Sequence, residues 1–324
     1  MILVTGATGF LGAELVFQLL KTEEKIRCIK RESSIVPRKL TAFAHKIDWF
    51  VADILDFADL EDAFDGVTQV YHCAALVSFD ESLKAKMLQI NAEGTANVVN
   101  LCVLNGVEKL IYVSSVAALG SAKATNLIDE NCFWEGFEIK DAYAVSKYRA
   151  EMEVWRGINE GLNAVIVNPS VIIGADAGTE GSGAIFESVK NGLDYYTRGA
   201  TGFVDVEDVA QCMILLMNNP VKQERFIINA ENISYQNLFE QTTKQFGISK
   251  PNKLAKPWML SLAWRFTALK NLLSGKKGGI NKTLAKTADK ISRYDNRKIK
   301  SLLNYQFIPL KESITKIVNG LKSA

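Results

Sequence analysis

Short apolar runs alternate with longer stretches of helical apolar spacing along the first half of the chain. Residues 2–5 are apolar and lead directly into glycine, which is typical of a buried strand followed by a tight turn. In residues 10–20 the apolar side chains recur every three or four positions, which predicts a helix. The same criteria predict further strands at 25–30, 47–51, 69–75, 108–114 and 164–167, and further helices at 57–64, 83–104 and 142–159.

This alternation predicts the fold class. Parallel pairing suits strands that are joined by helices, because each crossover helix returns the chain to the same end of the sheet. We therefore expect an α/β protein with a Rossmann-type, doubly wound parallel sheet. The alternation of strands and helices becomes less regular after about residue 168, where strand-like segments occur at 203–206 and 225–229. We expect a dinucleotide-binding domain at 1–167, to which 201–229 returns, and a smaller substrate-binding region at 168–200 and 230–324.

The composition is that of an ordinary globular protein. The 324 residues are 48% hydrophobic and 23% charged. The five cysteines are scattered and include no CxxC pair, so we expect neither a disulfide framework nor a bound metal. The apolar N-terminus lacks the basic residues of a signal peptide, and no apolar run is long enough to predict a transmembrane helix. A reduced, cytoplasmic protein is the expectation.

The net charge of +2 hides one strongly basic segment. Residues 250–300 carry fourteen Lys and Arg residues against only Asp289 and Asp295. For residues 256–279 within it, one interpretation is a helix that lies on a lipid surface and gives the protein a peripheral membrane contact. The other, which we favour, is a helix that packs its apolar face on the substrate region, with solvated lysines around it. The side chains at helical spacing are Trp258, Leu262, Arg265, Phe266, Leu269 and Leu273.

Three glycines follow the first predicted strand at intervals of three residues. The sequence TGATGFLG, residues 5–12, places them at Gly6, Gly9 and Gly12. Glycine permits a tight turn, close approach of the backbone to a pyrophosphate, and close packing of helix on strand. The helix that follows would offer its free N–H groups to the anion. The motif predicts a dinucleotide site, and a purely structural turn is the alternative.

A tyrosine and a lysine share one face of the helix predicted at 142–159. Tyr143 and Lys147 are four residues apart in DAYAVSKYRAE, and two serines, Ser114 and Ser115, end the strand in YVSSVAALG. A free tyrosine titrates near pH 10, and a neighbouring ammonium is expected to lower its pKa. A serine hydroxyl can hydrogen-bond a substrate oxygen. An ordinary exposed helix face is the alternative.

The glycine spacing, the serines and the Tyr-Lys pair together resemble the short-chain dehydrogenase/reductase superfamily, in its extended, atypical branch. The resemblance implies that Tyr143 is the acid/base and that Lys147 tunes it and bonds the nicotinamide ribose. It implies that Ser115 orients the substrate carbonyl, with Ser114 as the alternative. Asn91 matches an asparagine that supports a water near the lysine, and an interhelical hydrogen bond is its alternative.

Two basic residues at the end of the second predicted strand indicate which dinucleotide the protein binds. An acid at this place would bond the ribose of NAD, whereas a basic group accommodates the 2′-phosphate of NADP. This chain has Lys30 and Arg31 there, and the guanidinium fork matches a phosphate. We therefore expect NADP, with Arg31 as the main contact and Lys30 as a second one. NAD and a merely solvated basic loop are the alternatives.

The remaining cofactor contacts also follow from the resemblance. Asp53 would bond the adenine amino group, with Ile54 packed near the ring. In VNPSVIIG the family usually has arginine before the proline, whereas this chain has Asn168, to which we assign no role. The expected contacts are Gly6, Thr8, Gly9, Phe10, Leu11, Gly12, Asp53, Ile54, Ala74, Ala75, Tyr143, Lys147, Pro169, Ser170 and Val171.

The segment at 201–213 resembles the family's returning strand and helix, and the segment at 292–314 resembles dihydroflavonol reductase-like and 3β-hydroxysteroid dehydrogenase-like members. This implies an oxidoreductase that reduces a ketone or aldehyde, or oxidises the matching alcohol, by hydride transfer. The alternative is a nucleotide-sugar epimerase or dehydratase on the same fold, and a less expected one is a non-catalytic NADP sensor. We expect a small-molecule carbonyl or alcohol as partner rather than nucleic acid. A homodimer is usual in the family.

Overall fold

The computed structural model describes residues 1–22, 25–78, 80–122, 127–135, 141–178, 181–274, 285 and 288–323. Within these ranges, β-strands form the framework of the fold. The strands are β1 (Ile2–Thr5), β2 (Ile26–Lys30), β3 (Ile47–Val51), β4 (Gln69–His72), β5 (Lys109–Val113), β6 (Ala164–Pro169), β7 (Val171–Ile173), β8 (Tyr195–Tyr196), β9 (Ala200–Asp205), β10 (Glu224–Ile228), β11 (Glu231–Ser234) and β12 (Lys253–Leu254).

Helices connect most of these strands. They are α1 (Phe10–Leu19), α2 (Arg38–Thr41), α3 (Phe57–Asp62), α4 (Lys84–Leu88), α5 (Gly94–Leu104), α6 (Ala142–Asn159), α7 (Gly183–Lys190), α8 (Val206–Asn218), α9 (Tyr235–Phe246), α10 (Pro257–Ser274), α11 (Arg297–Leu303) and α12 (Leu310–Ser323).

The central sheet is parallel throughout. In the described part of the chain it has seven strands in the order β10-β6-β5-β4-β1-β2-β3. The order reverses at β1, which pairs with both β2 and β4. Ligands of such sheets bind outside the carboxyl ends of the strands at this reversal. The expected α/β fold with a doubly wound parallel sheet is confirmed.

Helices cover both faces of this sheet. Successive strand residues point to opposite faces, so Leu3 and Val4 enter different cores. Val4 lies in one core with Val16 of α1 and Met213 of α8. Leu3 lies in the other core with residues of α5 and α6, including Val154. Burial on both faces explains why these strands are continuous apolar runs rather than alternating ones.

Two predicted elements differ from the structure. The helix predicted at 83–104 is interrupted by a π-helical turn, Gln89–Glu93, between α4 and α5. The fourth strand ends at His72 rather than at residue 75: the Cys73 N–H still donates to the Thr5 carbonyl at 3.2 Å, but the Ala74 N–H donates to the Thr5 hydroxyl at 3.3 Å. Both departures lie at the carboxyl edge of the sheet.

A smaller layer follows β6. β7, β9 and β11 form a three-stranded sheet, and β8 pairs with β12. Phe186 of α7, Leu238 of α9 and Ile314 of α12 share a core with Phe203 of β9. The strand predicted at 203–206 therefore belongs to the small sheet as part of β9, while β10 pairs with β6 in the central sheet.

Replacement of Gly12 by alanine is expected to destabilise the protein by at least about 1–3 kcal/mol. A Cβ at this position would lie 2.1 Å from the carbonyl oxygen of Gly6. Gly320 of α12 is a matched control, because its nearest neighbour would be the Ala175 Cβ at 3.6 Å. There the same change should add about 0.5–1 kcal/mol through helix propensity. Urea unfolding of both variants checks this, and equal stabilities would contradict it.

Candidate active site

The glycine turn after β1 is pressed against the end of β4. Gly6 has a φ of +71°, and a Cβ there would lie 2.6 Å from the Ala74 nitrogen. The Gly9 N–H donates to the Gly6 carbonyl at 2.9 Å, and α1 begins at the next residue. The first N–H groups of a helix have no partner within it, so they are available to an anion. The turn has the form of a cradle for a pyrophosphate.

A buried histidine links three elements beneath this turn. His72 lies between Thr5, at 2.6 Å from Nδ1 to Oγ1, and Thr95, at 2.9 Å from Nε2 to Oγ1. Burial, assisted by the charge of Lys147, lowers the pKa of His72 to about 3, so the ring is neutral at ordinary pH. His72 thus ties β1, β4 and α5 together.

The first turn of α6 brings Tyr143 to the end of β5. The Asp141 carboxylate caps the helix by accepting from the Ala144 N–H at 2.8 Å. The hydroxyl of Ser115 hydrogen-bonds the Tyr143 phenol and also accepts from the Ala117 N–H at 3.1 Å. Ser114 points elsewhere and donates to Glu151. Of the two candidate serines, Ser115 is therefore the one beside Tyr143.

Burial controls the charge states of Tyr143 and Lys147. Loss of water raises the pKa of Tyr143 to about 12, and Asp141 adds to this rise, whereas the Ser115 hydrogen bond opposes it. Burial also lowers the pKa of Lys147 to about 8, although Cys73 and Glu151 oppose that change. The expectation that Lys147 lowers the pKa of Tyr143 stays a prediction, because Lys147 is not among the causes of this rise. Here the ammonium donates to the Val113 carbonyl at 2.8 Å, and desolvation of the phenol dominates.

The π-helical turn carries the buried side chain of Asn91. Its Oδ1 accepts from the Leu76 N–H at 2.7 Å, and its Nδ2 donates to the Leu76 carbonyl at 3.0 Å and to the Ser146 hydroxyl at 2.9 Å. Ser146 donates in turn to the Tyr143 carbonyl. Of the two interpretations of Asn91, the interhelical hydrogen bond is present. The support of a water near the lysine stays a prediction.

A buried carboxylate lies one helical turn beyond Lys147. Glu151 is 1% exposed and pairs with Arg225 of β10 at 3.0 Å. Its Oε2 also accepts from the Ser114 hydroxyl at 2.5 Å and from Asn168 Nδ2 at 2.8 Å. Asn168 donates further to the Ser115 carbonyl at 3.1 Å. This cluster joins the ends of β5 and β6 to α6, so it holds Ser115 and Tyr143 in register.

Asn168 is a hydrogen-bond donor within the same cluster. Where the resembled family usually carries an arginine, this chain has a neutral amide, and the guanidinium reaches Glu151 from Arg225 on the neighbouring strand. The sequence analysis missed Glu151 and Arg225. Two signals were available: Glu151 follows Lys147 at helical spacing, and Arg225 is a charged residue in a predicted buried strand.

The remaining predicted cofactor contacts lie at the carboxyl edge with different exposures. Lys30 ends β2 half-buried, and Arg31 is exposed just after it. The Asp53 carboxylate accepts from the Leu55 N–H at 3.0 Å, and Ile54 packs against Gly94. Thr8, Phe10, Ala74, Ala75 and Val171 are partly exposed, Pro169 is buried, and the Leu11 side chain packs in the core.

A dinucleotide fits these residues. Besides the glycine cradle, the Ser170 hydroxyl is buried and has no hydrogen-bond partner among the described residues. Such an atom at the end of β6 is suited to bond a cofactor. Within the same described ranges, no cluster of three or more His, Cys, Asp or Glu side chains could hold a metal. No helix in them is both long and apolar enough to cross a bilayer.

Comparisons with known proteins agree with this geometry. A sequence model of the NAD dependent epimerase/dehydratase family matches residues 2–230. A Synechocystis sp. protein named "Putative dihydroflavonol 4-reductase" is 32% identical over 268 residues, which are 81% of this chain and 77% of that protein. "Cinnamoyl-CoA reductase 1" of Oryza sativa subsp. japonica is 26% identical over 303 residues, 85% of this chain and 88% of that protein. The crystal structure of gox2253 has a TM-score of 0.83 at 29% identity and covers 100% of this chain and 98% of its own.

Removal of one partner from the buried ion pair is expected to destabilise the protein strongly. Arg225→Met leaves the Glu151 carboxylate buried without its cation, which typically costs about 3–5 kcal/mol. The double variant Glu151→Gln/Arg225→Met removes both charges and should recover most of that loss. Denaturant unfolding of the three proteins measures both effects. A single variant as stable as the wild type would show that the pair does not stabilise the fold.

Proposed function

The chain belongs to the NAD-dependent epimerase/dehydratase family, and we propose that it is an NADP-dependent reductase of a ketone or aldehyde. Its relatives are oxidoreductases of the extended short-chain dehydrogenase/reductase type. The observation that carries the proposal is the position of the Tyr143 phenol beside the Ser115 hydroxyl, at the edge that also holds the glycine cradle.

The proposed roles follow from the contacts of each residue. A bound nicotinamide supplies the hydride, or accepts it in the reverse direction. The Ser115 hydroxyl donates a hydrogen bond to the substrate carbonyl oxygen and holds it beside Tyr143. The Tyr143 phenol then gives its proton to that oxygen as negative charge develops there, and solvent replaces the proton. A phenol with a pKa of about 12 keeps its proton at neutral pH, which favours reduction of the carbonyl.

Lys147 completes this set. With a pKa of about 8 it still carries its charge at pH 7, within a buried site where such a charge acts strongly. Its anchor on the Val113 carbonyl holds the ammonium at the end of β5, one helical turn beyond Tyr143. We assign it two roles: binding the nicotinamide ribose, and stabilising negative charge on the reacting oxygen.

The NADP preference rests on the residues that follow β2. Lys30 and Arg31 occupy the place at which an acid would bond the ribose of NAD, and Arg31 is exposed to receive a phosphate. Arg38, at the start of α2, is a further cation in the connection that follows β2. These charges support NADP as the cofactor.

A nucleotide-sugar epimerase or dehydratase is the second candidate, and the family description favours it. Such enzymes oxidise their substrate first, a step that needs a base to take the hydroxyl proton. Their cycle also includes the reverse step, so the acid form of Tyr143 is compatible with both candidates. The reductase names of the relatives support the first candidate.

Tyr143→Phe is expected to lower kcat for carbonyl reduction by about 10²–10⁴-fold, because the variant cannot donate the proton. The affinity for NADPH should hardly change, since the ring remains. NADPH oxidation over a panel of ketones and aldehydes measures the loss. Tyr148→Phe is the matched control: Tyr148 lies on the same helix but packs edge-on against Trp134. Full turnover in Tyr143→Phe would refute the acid role.

Nucleotide-sugars belong in the same panel, with NADH run in parallel. Steady NADPH consumption with an apolar carbonyl would support the reductase. A changed nucleotide-sugar without net consumption would move the protein to the epimerase and dehydratase group.

Arg31→Ala is expected to weaken NADPH binding by about tenfold or more, which is the loss of one hydrogen-bonded charge pair. NADH binding should change little, because NADH has no 2′-phosphate. Fluorescence titration with both cofactors measures the two affinities. Lys46→Ala, which removes an exposed cation further along the chain, is the control. Equal losses for the two cofactors would point to NAD.

A further inference from the structure

Three large apolar side chains of α10 form an exposed ridge. Trp258, Leu262 and Phe266 are 61%, 45% and 70% exposed. They are spaced four residues apart, so they line one side of the helix. Leu260 on another side is buried. The favoured expectation that the apolar face of this helix packs on the substrate region is therefore wrong for these three residues, which we call the α10 ridge. The side chains of Leu269 and Leu273, which belong to the same expectation, lie outside the described part of the chain.

The ridge lies in a part of the sequence without acids. No Asp or Glu occurs between Glu240 and Asp289, whereas ten Lys and Arg residues do. Lys256 and Arg265 are exposed on α10 or next to it. Arg265 lies over the neighbouring Trp264, with 5.0 Å between its Cζ and the ring centroid. An exposed apolar row with cations beside it suits contact with a lipid surface, where apolar side chains enter the headgroup region and cations meet the phosphates.

We propose that the α10 ridge docks the protein on an anionic lipid bilayer. A bilayer needs no matching pocket, so a convex row of side chains can enter its headgroup region. Tryptophan and phenylalanine suit that depth, and arginine and lysine can extend their charged ends to the lipid phosphates. A second copy of this chain is the less suitable occupant, because it would bring two strongly basic segments together.

The α10 ridge belongs to the small layer rather than to the central sheet. α10 follows β12, which pairs with β8. Lys253 in β12 makes a long, exposed ion pair with Asp194, 3.8 Å apart, and lies over the ring of Tyr195. Docking therefore attaches the small layer to the lipid and leaves the cofactor cradle on the central sheet untouched.

Vesicle flotation of the full chain tests the proposal. Vesicles of phosphatidylcholine alone are compared with vesicles that also contain phosphatidylglycerol, in about 0.1 M and about 1 M salt, where the screening length falls from about 10 Å to about 3 Å. We expect the protein to float with the anionic vesicles at low salt only. Brominated acyl chains should quench Trp fluorescence in the wild type and much less in Trp258→Phe.

Variants on the exposed side chains locate the contact. Trp258→Ser/Phe266→Ser should abolish flotation, while Leu104→Ser, a change of an exposed apolar residue on α5, should leave it intact. Lys256→Gln and Arg265→Gln should each weaken partition about fivefold. Melting curves verify that each variant is folded.

Three results would contradict the docking proposal. Failure of the wild type to float at low salt with anionic lipid would overturn the proposal. Flotation of the double serine variant at the wild-type level would do the same, because the contact would then lie elsewhere. A dimer in sedimentation that Leu262→Glu converts to monomer would identify the ridge as an interface between copies. None of these results depends on the reductase assignment.

Discussion

The site depends on one geometric constraint: parallel strands end together. Because the central sheet is parallel throughout its described strands, the glycine turn after β1, the Ala74 loop after β4 and Ser115 after β5 meet at one edge. The turn can approach that loop only where side chains are missing, as at Gly6 beside Ala74. The same closeness that packs α1 on the sheet therefore leaves backbone N–H groups facing the ligand side.

Desolvation governs the electrostatics behind this edge. Tyr143, Lys147, Glu151 and His72 all lie within or against the core, and burial favours the neutral form of any group without a strong partner. His72 has only hydroxyl partners and is neutral. Glu151 has a guanidinium, an amide and a hydroxyl around it, which are the partners that a buried carboxylate requires. Tyr143 has one hydroxyl partner, and its proton stays in place.

Much of this was readable from the sequence, because the signals were local. The strand-turn-helix of TGATGFLG and the helical spacing of Tyr143 and Lys147 each lie within one element or one connection. The contacts that were missed are long-range: Arg225 meets Glu151 across 74 residues, and Asn91 meets Leu76 across 15. Helical apolar spacing also does not distinguish a π-helical turn from an α-helical one, because the same apolar residues are compatible with both. The direction of the Tyr143 pKa shift depends on how much water the fold removes from the phenol, which residue spacing does not predict.

The guanidinium of Arg225 shows that the cation beside a buried carboxylate can come from a residue that is distant in sequence but lies on an adjacent strand. Glu151 needs a cation above the end of β6, and either β6 itself or the adjacent β10 can supply one. In this chain the cation reaches the carboxylate across the ladder that joins β10 to β6, so the pairing of these two strands sets the charge balance behind Ser115.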